Sequence, residues 1–361
     1  MRAYRQLQPF AAGPYSTSGG TAEGFDSVIV GVETDEGVTG WGEMAPLGAF
    51  YSEAFPAGAR AGVAELAPRL IGADPCQPRR IGELMDAAMR GQPYVKSALD
   101  MACWDAAASL HGRPLCEALG GRFGEAVDLY RSLSPGPADA VAARAHACLD
   151  AGYRRLQVKV GGDPEADAAR LAAVRDAAGA GVVIFADANG AFTTAAARRF
   201  LRATAGLDYT LEQPCASIEE CAALRPHCPH PLVLDEPIVS LRALLAARRD
   251  AGADGVTIKI ARVGGVTRAA ALRDVAVELG LTVTVEDTGG ATIDTAAMLH
   301  LSHSTPESHR AHTVDFTEWV TVANADGLPE RADGRRAAPA GPGLGVTVRA
   351  ESLGEPFLRT P

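Results

Sequence analysis

Arg155-Leu-Gln-Val-Lys-Val160 and Val182-Val-Ile-Phe-Ala-Asp187 are two short apolar runs joined by an Ala- and Arg-rich stretch of helical composition. Parallel strands need a crossover long enough to hold a helix, so this spacing reads as one strand–helix–strand unit. The rhythm extends both ways. Asp128-Leu-Tyr130 precedes it, and Tyr209-Thr-Leu-Glu212, Leu232-Val-Leu-Asp235, Gly255-Val-Thr-Ile-Lys-Ile260, Leu281-Thr-Val-Thr-Val-Glu286 and a weak run near Val314 follow. Eight such runs predict a (β/α) barrel rather than a doubly wound sheet. The first run is not followed by the GxGxxG of a dinucleotide fold.

Outside this region the texture differs. Ser27-Val-Ile-Val-Gly-Val-Glu-Thr34 alternates, Asp35-Glu36-Gly37 turns, and Val38-Thr-Gly-Trp-Gly-Glu43 returns, an antiparallel hairpin. From about residue 57 to 120 the pattern becomes Ala/Leu-rich and helical, closed by Gly120-Gly121. The tail from 325 carries Ala340-Gly-Pro-Gly-Leu-Gly345, which cannot continue a barrel and is expected to return to the N-terminal layer. The expected organisation is an α+β unit over 1–125, joined by 325–361, and a barrel over 126–324.

Bulk composition narrows the function. A net charge of −10 over 361 residues gives no basic face for nucleic acid or anionic membrane. The seven cysteines are scattered without CxxC spacing and read as buried small hydrophobes of a reducing, cytoplasmic compartment. The first residues lack the apolar core of a signal peptide, and nothing approaches a membrane span. Of 34 basic residues, only Lys96, Lys159 and Lys259 are lysine. Codon bias accounts for the scarcity of lysine but not for where the three sit.

A parallel barrel builds its active site where strands end. The ends here are Lys159, Asp187, Glu212, Asp235, Lys259 and Glu286. Three adjacent carboxylates repel one another unless a hard cation neutralises them, and without thiolate or imidazole that cation is oxygen-loving, with Mg²⁺ the first choice. A lysine flanks the trio on each side. Plain ion pairing is the bland alternative, but a chain this rich in Arg would use Arg for it, because Arg pairs with carboxylate better and cannot lose its proton. Two tunable bases facing a divalent cation suggest proton abstraction next to a carboxylate.

Taken as an ordered set, Gln157-Val-Lys159, Asp187-Ala-Asn189, Glu212-Gln-Pro214, Asp235-Glu236 and Lys259 followed by Gly264-Gly265 resemble the enolase superfamily in its muconate lactonizing enzyme/mandelate racemase branch. Gly40-Trp-Gly-Glu43 is similar to that family's N-terminal hairpin and Lys96-Ser-Ala-Leu-Asp-Met-Ala-Cys-Trp-Asp105 to its capping helix. The resemblance implies a (β/α)7β-type TIM barrel under an α+β capping domain. It also implies one Mg²⁺ per subunit on Asp187, Glu212 and Asp235, with Lys159 and Lys259 as acid/base catalysts on opposite faces of the α-carbon. Even-numbered homo-oligomers, from dimer to octamer, are implied too. Gln157 departs from the family's Lys-x-Lys, and an amide cannot depress the pKa of Lys159 by charge repulsion. Where mandelate-racemase-type members carry a catalytic His, this chain has Glu286-Asp287-Thr288-Gly289-Gly290. His300, His303, His309 and His312 fall later and suit surface or packing roles, with His312 and Asp315 as candidate pocket residues.

The resemblance places substrate contacts on loops closing over the barrel mouth: Tyr15–Gly20 and Pro46–Tyr51, with Tyr51 and Trp319 as an apolar or cation-binding wall. Gln157, Asn189, Glu286, Asp287 and Asp315 complete the candidate substrate-binding set. Further strings, among them Glu212-Gln-Pro-Cys215 with Glu219-Glu-Cys221, and His303-Ser-Thr-Pro306, resemble the branch acting on proline derivatives, the cis-3-hydroxy-L-proline dehydratases and the 2-epimerases of proline betaines. Dehydration is the leading expectation. Epimerisation of a betaine, amino acid or dipeptide is the alternative, and a non-catalytic binding barrel the remote one.

Overall fold

The computed structural model describes residues 1–16 and 20–360. The central part of the Tyr15–Gly20 loop, residues 17–19, lies outside the described residues. The N-terminal unit is an antiparallel sheet of β1 (Arg2–Pro9), β2 (Gly24–Glu33) and β3 (Thr39–Met44), followed by helices α1 (Pro56–Leu66), α2 (Pro78–Ala88) and α3 (Pro93–Leu110). The predicted hairpin is β2–β3, paired from Val28↔Met44 to Glu33↔Thr39. Helix α3 lies directly on β3: a Cβ on Gly40 would come within 2.1 Å of the Ala102 carbonyl oxygen, and one on Gly42 within 2.0 Å of that of Ala98. The two glycines in the Gly-Trp-Gly-Glu string are therefore what lets helix and strand backbones touch.

The barrel strands are β4 (Arg131–Leu133), β5 (Arg155–Lys159), β6 (Val183–Asp187), β7 (Thr210–Glu212), β8 (Leu232–Leu234), β9 (Gly255–Lys259), β10 (Thr282–Glu286) and β11 (Arg310–Thr313). They form one sheet in sequence order. A parallel bridge between Leu129 and Thr313, with the Tyr130 N–H donating to the Thr313 carbonyl at 3.1 Å, joins the first strand to the last. The 128–130 run is split: Val127–Asp128 pairs antiparallel with Arg335–Arg336, Leu129 bridges the last strand, and the ladder to β5 starts at Arg131. The last strand, Arg310–Thr313, ends beside Val314.

Seven helices, α4 (Ala138–Asp150), α5 (Pro164–Ala178), α6 (Thr194–Ala203), α7 (Ile218–Leu224), α8 (Leu241–Arg249), α9 (Val266–Glu278) and α10 (Thr292–His303), follow the strands in turn. Asp163, Thr193, Ser217 and Ser240 accept from backbone N–H groups in the first turns of α5, α6, α7 and α8. After the barrel the chain returns, and β12 (Leu358–Arg359) pairs with β1. No described helix is long and apolar enough to cross a membrane. All seven cysteines are free; Cys76 is exposed, Cys148 half-buried and the other five buried.

The seam between the two units is polar and specific. Asp100 of α3 accepts from the Thr267 N–H and hydroxyl, at 2.9 and 2.6 Å, and Trp104 Nε1 donates to the Thr267 hydroxyl. Lys96 Nζ pairs with Asp86 of α2 at 2.7 Å, and Arg268 of α9 reaches the same carboxylate. Lys96 thus ties two cap helices together and, through Asp86, ties them to the barrel.

Three histidines are packing residues, all buried: His300, His303 and His312. His300 Nδ1 accepts from the Cys116 N–H, so the neutral ring carries its proton on Nε2 and donates to the Leu344 carbonyl. Burial pushes its pKa down to about 3. The unfolded chain binds that proton near pH 6.5, so the stabilisation is present above pH 6.5 and drains away as pH falls toward 3. Asp100 and Asp105, pushed up to about 6 by burial, act in the opposite sense. Comparison with His300→Gln isolates the histidine. The variant should be less stable than the parent at pH 7, by about 1–2 kcal/mol for the degraded hydrogen bonds. The gap should close and then invert below about pH 5. Urea melts across that range check this, and a constant gap refutes it.

Candidate active site

The strand register puts the acids and lysines side by side. Lys159 pairs with Asp187 across β5–β6, Glu212 with Asp187 across β6–β7, and Lys259 with Glu286 across β9–β10. Asp235 is the first residue beyond β8. Lys159 and Lys259 lie four strands apart in a closed eight-stranded sheet, so they face each other across the mouth, with the acid trio on the three strands between.

A cavity of about 50 Å³ sits at this rim, lined by Gln157, Lys159, Asp187, Asn189, Asp235, Lys259, Glu286 and Asp287 on the barrel side. Tyr15, Phe25, Phe316 and Trp319 wall it on another side. The Tyr15 and Trp319 rings meet edge to face at 4.9 Å, and those of Phe25 and Phe316 at 5.3 Å. Tyr51 reaches in from the cap; its hydroxyl accepts from Lys259 Nζ at 2.7 Å and from Arg262 Nη2 at 3.2 Å. The same Tyr51 also lines a groove of about 750 Å³, so it borders both groove and cavity.

Both lysines hold carboxylates. Lys159 Nζ lies 2.5 Å from Asp187 and 3.1 Å from the Asn189 side-chain oxygen. Lys259 Nζ lies 2.8 Å from Asp235 and 3.2 Å from Glu286. Burial pulls each lysine down, but Asp187 for Lys159 and Asp235 for Lys259, with further anionic neighbours, hold both well above the ordinary value. Gln157 Nε2 and the Thr257 hydroxyl donate to Glu212, at 3.0 and 3.1 Å. Burial, then Asp187, Glu286 and Asp235, push Glu212 well above the carboxylate range. Glu236, which accepts from Asn189 Nδ2, is pushed up to about 7 by burial and by Asp235.

These residues fit a hard divalent cation. Asp187, Glu212, Asp235, Glu236, Glu286 and Asp287 face Lys159, Lys259 and Arg262, a surplus of negative charge in a buried space. Glu236 Oε2 and Glu286 Oε1 are buried without any partner. All donors at this rim are oxygens, the preference of Mg²⁺. Among the described residues no three acidic, His or Cys side chains converge closely enough to hold an ion as they stand. The lysine ammonium groups take up oxygens of Asp187 and Asp235.

Three sequence candidates do not line the cavity: Glu212, whose oxygens are taken by Gln157 and Thr257, Asp315 and His312. Asp315 caps the turn at Phe316–Glu318 and is consumed by Arg336 at 2.5 Å and Arg331 at 3.0 Å, which leaves no oxygen free for a substrate. His312 lies inside the barrel between the Tyr130 and Phe185 rings, and burial drives its pKa well below the usual value.

Arg262 was not anticipated. It sits three residues past Lys259, is 7% exposed, and donates to Asp235 Oδ1 at 2.6 Å and to the Asp235 carbonyl at 2.9 Å. Arg262 and then Lys259 outweigh burial and bring Asp235 down to about 2. A charged residue inside the apolar Lys259-Ile-Ala-Arg-Val263 string was the available signal. Gln213 was missed too: at φ +31° its side-chain oxygen accepts from the Asp235 N–H at 2.8 Å. Lys cannot reproduce the forked grip of Arg, so Arg262→Lys should weaken Mn²⁺ binding by about 10–100-fold. Calorimetric titration measures this directly, and unchanged affinity would contradict a role in orienting Asp235.

Residues 3–120 match the family "Mandelate racemase / muconate lactonizing enzyme, N-terminal domain", and residues 140–352 match "Enolase C-terminal domain-like". The chain is 40% identical over 352 residues to a cis-3-hydroxy-L-proline dehydratase of Roseibium aggregatum, covering 97% of this chain and 96% of that one. It is 29% identical over 349 residues to an N-succinyl-L-Arg/Lys racemase of Bacillus cereus, covering 95% and 93%. Among solved structures, an enolase-superfamily member from Roseovarius nubinhibens complexed with magnesium superimposes with a TM-score of 0.94 at 36% identity, over 99% and 97% of the two chains. With both halves matched and the barrel and its acidic rim in place, the chain belongs to the enolase superfamily, in its mandelate racemase/muconate lactonizing enzyme branch.

Proposed function

We propose that the protein dehydrates cis-3-hydroxy-L-proline to a pyrroline-2-carboxylate, with Lys159 and Lys259 as its acid/base pair. The observation that carries this reading is the placement of the two lysines across the mouth from each other, together with 40% identity to a dehydratase of that substrate over 97% of the chain. Asp187, Glu212 and Asp235 would hold one Mg²⁺, which when bound supplies positive charge to the substrate carboxylate. In the cis isomer the C3 hydroxyl and the C2 hydrogen lie on opposite ring faces. Asp187 and Asp235 raise the two lysines only while their own charge is unneutralised, and a cation on those carboxylates would let one lysine stand neutral. That lysine takes the C2 proton, and the electron pair forms the C2–C3 double bond. The C3–O bond breaks as the other lysine, protonated, gives its proton to the departing oxygen, which leaves as water.

The remaining residues bind and orient. Gln157, Asn189, Glu286 and Asp287 present polar groups to the cavity, and Glu286 and Asp287 suit the ring ammonium. Tyr51 and Trp319 supply the aromatic wall. The Tyr51 hydroxyl now occupies Lys259 Nζ at 2.7 Å, so a substrate that exchanges a proton with Lys259 takes that hydroxyl's place.

A mass-spectrometric assay in D₂O with Mg²⁺-loaded protein tests the reading. Loss of water from cis-3-hydroxy-L-proline is expected, and no loss from folded, metal-loaded protein overturns it. The same lysine pair could return a proton to the opposite face instead, and similarity to a racemase over 95% of the chain favours this second reading. Deuterium at the α-carbon without elimination, from a proline betaine, amino acid or dipeptide, would select it.

A further inference from the structure

Beneath the cavity wall a second group of acids is buried where cap and barrel meet. Glu43 is the penultimate residue of β3, Asp287 follows β10, and Asp294 lies in the first turn of α10. None exceeds 3% exposure. Their hydrogen bonding is unequal. Glu43 accepts from Gln8 Nε2 at 2.6 Å, from the Ser27 hydroxyl at 2.7 Å and from the Asp294 N–H at 3.1 Å. Asp287 accepts from the Ala261 and Thr288 N–H groups at 2.8 and 2.7 Å. Both Asp294 side-chain oxygens are buried without a donor. Asp294 is nonetheless within hydrogen-bonding reach of Asp287. Gly290, at φ +153°, lets the loop after β10 pack directly on Asp294, since a Cβ there would fall 2.5 Å from that of Asp294.

An ionised Asp294 here would have no donor and two anionic neighbours, the costliest state a buried carboxyl can adopt. Burial pushes Asp287 up to about 6, against the pull of its two backbone donors and of Lys259 and Arg262, whereas neither cation acts on Asp294. We propose that Asp294 is a positioning residue that keeps its proton and donates it to Asp287, fixing the 286–290 loop on which Asp287 and Thr288 form the cavity wall. The same loop is tied to the cap through the Thr288 hydroxyl, which donates to the Ala45 carbonyl at 2.8 Å. One proton thus couples the wall, the cap and α10. Its effect on turnover rests on the function proposed above; the protonation itself does not.

Asn is the mimic of a protonated Asp, with an N–H in place of the O–H. Asp294→Asn should keep the parent melting temperature, with kcat and KM within about twofold, whereas Asp294→Ala should raise KM about tenfold with a smaller change in kcat. Infrared difference spectra of protein carrying ¹³C-carboxyl aspartate, parent minus Asp294→Asn, should show a protonated-carboxyl stretch at neutral pH. A cation held by the three acids, the rival arrangement, predicts no such band and a destabilised Asp294→Asn. Either of those results overturns the proposal, as does a tenfold kinetic loss in Asp294→Asn. If the parent shows no turnover of cis-3-hydroxy-L-proline, the functional reading fails, and the infrared and melting results still decide this one. Should Asp294→Ala not fold, the Asn variant and the spectrum carry the test.

Discussion

Lys159→Ala and Lys259→Ala should each lower kcat by about 10²–10⁴-fold, the range that a positioned acid or base contributes. The sharper comparison is with arginine. In the folded chain each lysine touches a carboxylate, Lys159 with Asp187 and Lys259 with Asp235, and an ion pair alone would explain that contact. Arg satisfies an ion pair at least as well but never gives up its proton near neutral pH. If the lysines serve only as counter-ions, Lys159→Arg and Lys259→Arg should stay active. If they transfer protons, the arginine variants should fall as far as the alanine variants. Exchange of the substrate α-hydrogen with D₂O, followed alongside turnover, reports which proton transfer each variant has lost. Full activity in either arginine variant would remove that lysine from the chemistry.

The second large effect concerns Glu212, whose replacement should abolish activity and yet stabilise the protein without metal. Glu212 is 3% exposed and has Asp187, Asp235 and Glu286 as anionic neighbours. Under the proposed function that charge would hold Mg²⁺, so Glu212→Gln should cost about 10³-fold or more in kcat, several kcal/mol of lost transition-state stabilisation. Without metal the same charge is a liability, and the neutral amide should raise the melting temperature by about 2 °C. Added Mg²⁺ should then stabilise the parent and leave Glu212→Gln unmoved. Chelation should likewise silence the parent, with Mg²⁺ restoring it. A variant that melts lower than the metal-free parent, or still gains stability from Mg²⁺, would contradict the assigned role.

Much of the placement of the acids and lysines at the rim was legible because strand spacing and strand-end chemistry are local properties. Lys159, Asp187, Glu212, Asp235 and Lys259 each close an apolar run, and a parallel sheet in sequence order leaves little freedom over where those ends go. The scarcity of lysine pointed to the same two positions. Gln157 was readable as a departure, and its destination, a hydrogen bond to Glu212, follows from β5 and β7 flanking β6. The errors arose where a partner is distant in sequence. Asp315 looked like a rim acid, but Arg331 and Arg336 come back from the tail to claim it. Lys96, at the head of the capping-helix string, meets the barrel only through Asp86, which Arg268 also holds.

By itself, then, the chain's periodicity determined a parallel barrel beneath an α+β unit, and its strand ends determined an acidic rim between two lysines. Tertiary structure alone decided which polar groups are spent on one another. It set Arg262 on Asp235, brought Tyr51 from the cap to Lys259, and left Asp294 without a donor beside Asp287. Periodicity reports which face of an element is buried. Pairing between charges that converge from separate elements depends on packing distances that no local pattern encodes.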